Sequence, residues 1–232
     1  MKEESCCQVS KIFLYSALSD DGYPFDGLVI GGTVAVYNPE QLTELDSYLV
    51  IWGGNDISPF YYGEHPNKYC GAEAHPSKRD EIEAALIHRA LEKGIPIIGI
   101  CRGAQLVCAI LGGKVVQHIT GHGGQPHGII TNDGKTMVTS SLHHQMMIPN
   151  GEFCILAEPF DFISQKPKRR SIDNNGNPAY YGENEQLLLN VAVEPEVIWW
   201  QKRRVLGIQG HPEFMQIEAP FVQWCLTLCE KL

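Results

Sequence analysis

Positive charge is scarce in this sequence, and so are long hydrophobic runs. The 232 residues include 27 Asp and Glu against 18 Lys and Arg, which gives a formal net charge of −9. This balance argues against a nucleic-acid-binding surface, and we interpret the one basic cluster, at 166–170, as a solvated loop. No apolar run approaches the roughly 20 residues that span a bilayer, and the acidic, polar first residues do not resemble a signal peptide. We therefore expect a cytoplasmic protein that binds neither nucleic acid nor membrane.

Cysteine pairs with the spacing of metal or redox motifs are also lacking. The sequence has eight cysteines but no C-x-x-C, the spacing typical of zinc sites and thioredoxin-like sites. Cys6 and Cys7 are adjacent and cannot easily bridge each other, and Cys225 and Cys229 lie four apart on a predicted helix. We expect reduced thiols, several of them packing as small hydrophobic residues, and single out only Cys101 for chemistry.

Short apolar runs alternate with helical patterns along the chain, which is typical of an α/β fold. Strands are predicted at 12–15, 27–30, 48–52, 95–100, 114–117, 153–157, 191–193 and 205–209, and helices at 79–93, 104–111 and 217–231. We predict a single domain over 1–232 with a mostly parallel sheet flanked by helices. Residues 161–185 are interpreted as a polar excursion from that domain, and the pair Trp199 and Trp200 as core or sheet-edge packing.

One stretch between a predicted strand and a predicted helix has the pattern of a nucleophile elbow. Cys101 stands there with a glycine two residues away on each side, Gly99 and Gly103. This is the thiol counterpart of G-x-S-x-G, in which a strained turn leaves no room for neighbouring Cβ atoms. The N-terminus of the following helix favours a thiolate and can hold an oxyanion. The pattern predicts that Cys101 is a nucleophile.

A cysteine nucleophile needs a base and a group that orients the base. His211 and Glu213 follow a predicted strand, and Cys101 follows another. Since sites in open parallel sheets assemble at the carboxyl ends of strands, we expect His211 to lie between Cys101 and Glu213.

Three further histidines, His118, His122 and His127, suggest a metal site. They lie among glycines and a proline, with no carboxylate or cysteine close by in the sequence. We therefore interpret this stretch as a flexible loop and expect neither a metal nor a cofactor.

Several segments together resemble the class I glutamine amidotransferases, and within them the γ-glutamyl hydrolases and γ-glutamyl-γ-aminobutyrate hydrolases (peptidase C26-like). In chain order they are 53–59 (GGNDISP), 79–83 (RDEIE), 99–105 (GICRGAQ), 111–117 (LGGKVVQ), 141–145 (SLHHQ) and 211–213 (HPE). The resemblance implies a flavodoxin-like fold and an attack by Cys101 on a γ-carboxamide, with His211 as base and Glu213 as its orienting acid.

The same resemblance implies how the substrate is held. The N–H groups of Gly54 and Arg102 would bind the oxyanion. Gln105 and the backbone of Ser141, Leu142 and His143 would hold the α-amino and carboxylate groups of a glutamyl substrate. The substrate would be a small γ-glutamyl compound or glutamine.

One departure and several alternatives stand beside this hypothesis. Gly210 occupies a position where these hydrolases usually carry an aromatic residue, so we expect open space there, or space that a partner fills. The leading hypothesis is a γ-glutamyl hydrolase. The alternatives are a glutaminase subunit that passes ammonia to a separate synthetase, and a non-catalytic binding module on the same fold. A homodimer stays open.

Overall fold

The computed structural model describes residues 11–119, 121–160, 170–172, 178–181, 187–189 and 194–232. In this part of the chain the strands are β1 (Leu14–Ala17), β2 (Thr33–Val36), β3 (Tyr48–Ile51), β4 (Ile97–Ile100), β5 (Lys114–Val116), β6 (His127–Thr131), β7 (Thr136–Thr139), β8 (Met146–Ile148), β9 (Cys154–Pro159), β10 (Arg170–Ile172), β11 (Pro178–Tyr181), β12 (Leu187–Leu189), β13 (Val197–Trp200) and β14 (Val205–Ile208). The α-helices are α1 (Lys78–Lys93), α2 (Arg102–Ile110) and α3 (Pro220–Cys229).

A central sheet of nine of these strands has the order β2-β1-β3-β4-β14-β13-β9-β6-β7. The pairs from β2 to β14 are parallel, and the pairs from β14 to β7 are antiparallel. Only β13 and β6 run against the rest, so the other seven strands of this sheet point the same way. The predicted fold class, a mostly parallel sheet flanked by helices, is confirmed.

Helices cover both faces of the parallel half of the sheet. The strands β3, β4 and β14 are buried along their whole length, as their continuous apolar sequences require in a sheet covered on both sides. On one face their side chains pack with α1 and α2, including Leu86 and Leu106. On the other face they pack with α3, including Phe221 and Cys225. This arrangement brings the carboxyl ends of β3, β4 and β14 side by side.

Helix α1 begins and ends where its sequence predicts. The Ser77 side chain accepts the N–H of Asp80, and the Asp80 carboxylate accepts the N–H of Ser77, which together make a capping box. At the other end Gly94 adopts the left-handed conformation with φ of 69°, which glycine reaches without steric cost. The predicted helices at 104–111 and 217–231 are also present, as α2 and the shorter α3.

The strand predicted at 27–30 is wrong. Phe25–Leu28 forms a 3-10 turn instead, in which the N–H groups of Phe25 and Asp26 both donate to Gly22. Ile30 is 75% exposed, and the strand at this edge of the sheet is β2. Local turn chemistry at Pro24, Asp26 and Gly27 therefore outweighs the short apolar run.

Other strands were not predicted at all. They include β6, β7 and β8, and also β13, which lies between β14 and β9 and carries the buried Trp200. The pair Trp199 and Trp200 thus belongs to the sheet and its core. The strand predicted at 191–193 lies outside the described residues. Strands β10 and β11 lie within the region predicted as a polar excursion, 161–185, and pair with β12 just after it. No helix in the described ranges is both long and apolar enough to span a membrane.

Candidate active site

Cys101 occupies a strained turn between β4 and α2. Its φ of 48° and ψ of −108° are unusual for a residue with a side chain, and such conformations cluster at functional sites. The turn is held from both sides: the Cys101 N–H donates to Ile208 O at 2.7 Å, and the Gln105 N–H donates to Cys101 O at 3.0 Å. The thiol therefore stands at the start of α2, beside the end of β14.

The glycines on either side of Cys101 are required by close backbone contacts. A Cβ on Gly103 would lie 2.0 Å from the carbonyl oxygen of Ile51 in β3, and one on Gly99 would lie 2.8 Å from the nitrogen of Ala104. Neither position has room for a side chain, which is the crowding that the spacing of the elbow predicts.

His211 and Glu213 form a hydrogen-bonded pair at the carboxyl end of β14. His211 Nδ1 lies 2.7 Å from Glu213 Oε1, and the imidazole stacks on the ring of Phe214. The His211 N–H also donates to Ser140 Oγ at 2.9 Å, and that hydroxyl donates to His211 O at 2.7 Å. The ring is thus fixed by Glu213 and Phe214, and the backbone of His211 is fixed by the loop after β7.

The environment of His211 favours its charged form. Burial lowers the pKa of His211, but hydrogen bonds and charge interactions with Cys101 and Glu213 outweigh burial and raise that pKa to about 10. Since Nδ1 faces Glu213, Nε2 is the nitrogen left for Cys101. The structure therefore brings Cys101 together with His211 and Glu213, which lie more than 100 residues later in the sequence.

Gly53 lies against both His211 and Cys101. A Cβ on Gly53 would lie 2.8 Å from His211 Cε1 and 3.6 Å from Cys101 Cβ. Together with Gly54, Leu142 and Glu213, these residues line a cavity of about 440 Å³. A cavity of about 490 Å³ between the Phe25–Leu28 turn and α3 contains no cysteine or histidine. The smaller cavity is the one with reactive groups.

A buried ion-pair network connects the two predicted oxyanion segments. Arg79 donates from Nη2 to Gly53 O at 2.8 Å and from Nε to Glu83 Oε1 at 2.9 Å. Glu83 also pairs with the guanidinium of Arg102, which bonds Asp80 as well. Gly54 has a φ of 146°, and a Cβ there would lie 2.3 Å from Arg79 Nη1.

The roles of Arg79, Asp80 and Glu83 were missed by residue-level sequence reasoning. Arg79 and Glu83 are four residues apart, the spacing of neighbours on a helix face, and this was the available signal. Arg102 is 2% exposed. Because its side chain is committed to two carboxylates, only its backbone N–H is left for an oxyanion.

The residues predicted to hold the substrate do not all reach the cavity. Leu142 is 55% exposed and lines it. Ser141 donates its hydroxyl to His122 O, and His143 bonds Gln145 O through Nδ1 at 2.8 Å, both in a buried layer behind Leu142. Gln105 is buried too, with its amide nitrogen 3.4 Å from Gln145 O and from Gln209 Oε1.

The expectation of open space at Gly210 is wrong. A Cβ on Gly210 would lie 2.2 Å from Thr139 Oγ1 and 2.9 Å from Ser140 O. The end of β7 and the residue after it already fill that position, so an aromatic side chain has no room. The sequence could not show this, because β7 is more than 70 residues from Gly210.

The interpretation of the His118 to His127 stretch as a flexible loop is wrong for two of its three histidines. His122 is fully buried, and His127 begins β6. His122 Nδ1 lies 3.2 Å from Glu196 Oε1, and His127 Nε2 lies 2.8 Å from the same oxygen. The carboxylates that the local sequence lacks are supplied by the segment just before β13.

Comparisons with known proteins agree with this geometry. The family described as Peptidase C26 matches residues 29–160. A candidate glutamine amidotransferase of Mycobacterium tuberculosis is 42% identical over 117 residues, 45% of this chain. A candidate glutamine amidotransferase-like protein of Lactococcus lactis is 29% identical over 190 residues, 79% of this chain. The γ-glutamyl-γ-aminobutyrate hydrolase of Escherichia coli O157:H7 is 36% identical over 76 residues, 33% of this chain.

The chain spans 37%, 75% and 28% of the lengths of these three relatives, respectively. Among solved structures, a candidate GMP synthase component from Thermoplasma acidophilum superposes with a TM-score of 0.56 over 94% of both chains at 13% identity. A glutamine amidotransferase of Thermotoga maritima gives 0.53 over 87% of this chain and 76% of its own, at 14% identity. These likenesses confirm the predicted class I glutamine amidotransferase fold.

The charge state of His211 is directly measurable. We expect its imidazole to stay protonated up to pH 9, because Glu213 and Cys101 stabilise the cation. The stability that this contributes is complete below the ordinary pKa of 6.5 and is lost as the pH rises through about 10. The measurement is ¹⁵N NMR of the histidine side chains against pH, with His211→Asn to assign the signal. A Glu213→Gln variant should lower the midpoint, and titration of the parent near 6.5 would contradict the account.

Proposed function

This chain belongs to the peptidase C26 family, and on that premise we propose that it is a cysteine-dependent hydrolase of γ-glutamyl amide bonds. The observation that carries the proposal is the elbow conformation of Cys101 beside the 2.7 Å pair of His211 and Glu213, in a cavity of about 440 Å³. The hydrolase in Escherichia coli to which part of the chain is similar supports the choice of substrate class.

The first half of the proposed reaction forms a thioester. The proton of Cys101 moves to His211 Nε2 before the attack, since the site favours the charged imidazole, and Cys101 Sγ then attacks the γ-carbonyl carbon. The negative charge that develops on the carbonyl oxygen is stabilised by the N–H groups of Gly54 and Arg102. His211 then gives the proton to the leaving amine, the C–N bond breaks, and a γ-glutamyl group remains on Cys101.

The second half releases the acid. His211 takes a proton from a water molecule, the water oxygen attacks the thioester carbon, and the C–S bond breaks. Glutamate leaves, and the proton taken from water stays on His211 beside Cys101 Sγ, as at the start of the reaction. Glu213 keeps Nδ1 of His211 protonated and stabilises the imidazolium that forms in each half.

The glutamyl end of the substrate would lie on the side of the cavity where Leu142 is exposed. Leu142 lines the cavity there, and its neighbours Ser141 and His143, whose backbone is proposed to bind the glutamyl group with it, are fixed by buried hydrogen bonds. Gln105, one turn into α2, is the predicted polar contact from the helix. Since Gln105 is buried and does not line the cavity, this contact requires its side chain to give up the long amide contacts at 3.4 Å and turn toward the substrate.

Covalent labelling tests the nucleophile. Because Cys101 is the proposed attacking group, a diazoketone analogue of glutamine should add once to the parent chain and not to a Cys101→Ser variant. Intact-mass analysis followed by peptide mapping measures this. The matched control is Cys108→Ser, which changes a buried cysteine in α2 and should label like the parent. Equal labelling of Cys101→Ser would show that Cys101 is not the nucleophile. No labelling of the parent would favour a non-catalytic binding module.

Removing the charge of Glu213 should slow turnover without unfolding the protein. In Glu213→Gln the amide can no longer stabilise imidazolium. We expect kcat to fall by about 10³–10⁴-fold, as when the orienting acid of a catalytic triad is replaced by its amide. Steady-state release of p-nitroaniline from γ-glutamyl-p-nitroanilide gives kcat, and circular dichroism checks the fold. Activity within tenfold of the parent would mean that another acid orients His211.

Loss of the Arg79 contact should disturb only the loop that carries Gly53 and Gly54. Arg79→Gln removes the bond to Gly53 O but leaves Glu83 paired with Arg102. If the Gly54 N–H is misplaced, we expect kcat to fall by up to about 100-fold, while KM should change little. The control is Arg89→Gln on the same helix, which removes only an exposed pair with Glu92. An unchanged kcat in Arg79→Gln would contradict the positioning role.

A second candidate function is a glutaminase that supplies ammonia to a synthetase. It is favoured by the relatives named as glutamine amidotransferases. The two candidates share the thioester and differ in the leaving group. Turnover of free glutamine and of γ-glutamyl amines by the isolated chain separates them: efficient hydrolysis of γ-glutamyl amines supports the hydrolase. Ammonia release from glutamine that requires an added synthetase would overturn it.

A further inference from the structure

A second cluster of reactive side chains lies behind the active-site loop and takes no part in the proposed reaction. It consists of His122, His127, His143, Glu194 and Glu196, and we call it the histidine–glutamate cluster. Except for His127, whose side chain is 10% exposed, its members are fully buried or nearly so. They come from the loop before β6, from β6 itself, from loop 140–145 and from the segment before β13.

The distances in this cluster match those between ligands of one metal ion. One ligand atom each from His122, His143 and Glu196 lies within 4.8 Å of the other two. His122 Nδ1 is 3.2 Å, and His143 Nε2 is 3.8 Å, from Glu196 Oε1. Zinc–nitrogen bonds of about 2.0–2.1 Å in a tetrahedral site place neighbouring ligand atoms about 3.3 Å apart. Small shifts would therefore fit these three atoms to one ion.

The hydrogen bonding of His143 points a lone pair into the cluster. Its Nδ1 lies 2.8 Å from Gln145 O, and since a carbonyl only accepts, Nδ1 carries the hydrogen. In the neutral ring Nε2 is then a lone pair, and it faces a carboxylate oxygen. Two acceptors in a buried place repel each other unless a cation lies between them. A histidine fixed by a backbone carbonyl at its other nitrogen is the usual arrangement around a metal.

Poorly satisfied polar atoms provide a second indication. Both ring nitrogens of His122, Nε2 of His143 and Oε2 of Glu196 are buried, and none makes a hydrogen bond of good geometry in the described part of the chain, although carboxylate oxygens lie 3.2–3.8 Å from the three nitrogens. Buried polar atoms are rarely left unpaired, since each costs free energy. His127 Nε2, at 2.8 Å from Glu196 Oε1, orients that carboxylate, as an outer-shell group does for a metal ligand.

We propose that His122, His143 and Glu196 bind one divalent transition-metal ion, with imidazole and carboxylate ligands that suit Zn²⁺. Glu194, whose Oε2 lies 3.5 Å from His122 Nε2, faces the other side of that ring and would accept its N–H, as an outer-shell carboxylate does for a metal-binding histidine. Because the site is buried and filled by protein side chains, its role is structural. The ion connects three segments far apart in sequence, one of which carries Leu142 to the cavity and Ser140 to His211.

Metal content and thermal stability test this proposal without reference to catalysis. The chain, made without a histidine tag, is stripped with a chelator and then titrated with ZnCl₂ and with CoCl₂. We expect one equivalent of Zn²⁺ by elemental analysis, a rise in Tm on adding it, and the visible absorption of four-coordinate Co²⁺. A stripped parent chain that binds no Zn²⁺ or Co²⁺, and whose Tm does not change, overturns the proposal.

Variants assign the site. His122→Gln and Glu196→Gln should each weaken Zn²⁺ binding at least tenfold and abolish the Zn²⁺-dependent rise in Tm. The control is His118→Gln, because His118 and His144 form a half-exposed pair outside the cluster, with their Nδ1 atoms 3.5 Å apart. It should bind like the parent. Unchanged binding in His122→Gln, or loss of binding in His118→Gln, would show that the ion lies elsewhere. Should either cluster variant fail to fold, the Co²⁺ spectrum and the Tm of the parent chain still show whether it binds the ion.

Discussion

The guanidinium of Arg102 is a charge that the fold buries, and two carboxylates of α1 neutralise it there. Removing one partner of such a pair leaves an uncompensated buried charge and costs about 3–5 kcal/mol. Because Arg102 follows Cys101 directly, the position of α1 fixes the start of α2. Through Glu83 and Arg79 the same network reaches Gly53. The thiol and both predicted oxyanion donors therefore share one support.

The other half of the site depends on contacts made from across the sheet. His211 leaves β14 in the middle of the sheet, whereas Ser140, which bonds its backbone, follows β7 at the far edge. Loop 140–145 thus connects the base to the wall of the cavity, and the histidine–glutamate cluster lies behind that loop. A metal in the cluster would stabilise the wall without touching the reacting atoms.

Local patterns explain why much of the site could be predicted from sequence. The elbow is set by Gly99 and Gly103, whose need to be glycine comes from contacts within a few residues and with the adjacent strand. His211 and Glu213 are two residues apart, so their pairing needs no long-range information. Helix α1 has a capping box and a terminal glycine that can be recognised directly in the sequence. The parallel strands β3, β4 and β14 are continuous apolar runs.

What could not be predicted depends on contacts between distant segments. The space at Gly210 is filled by Thr139 and Ser140, and the carboxylate nearest His122 belongs to Glu196. No periodicity in the sequence reports either contact. The failed strand at 27–30 has a different cause, since a few apolar residues cannot distinguish a strand from a turn. The antiparallel strands β6 and β7 are only partly buried and alternate weakly, so their pattern was not distinctive.

The central claim is that Cys101 carries the γ-glutamyl group during turnover. Its most direct test is rapid mixing of the parent chain with γ-glutamyl-p-nitroanilide, acid quenching, and intact-mass analysis with mapping of the modified peptide. The account predicts that one γ-glutamyl group accumulates on Cys101, at a rate matching the burst of p-nitroaniline. Release of p-nitroaniline without any adduct, or an adduct on another residue, would contradict it.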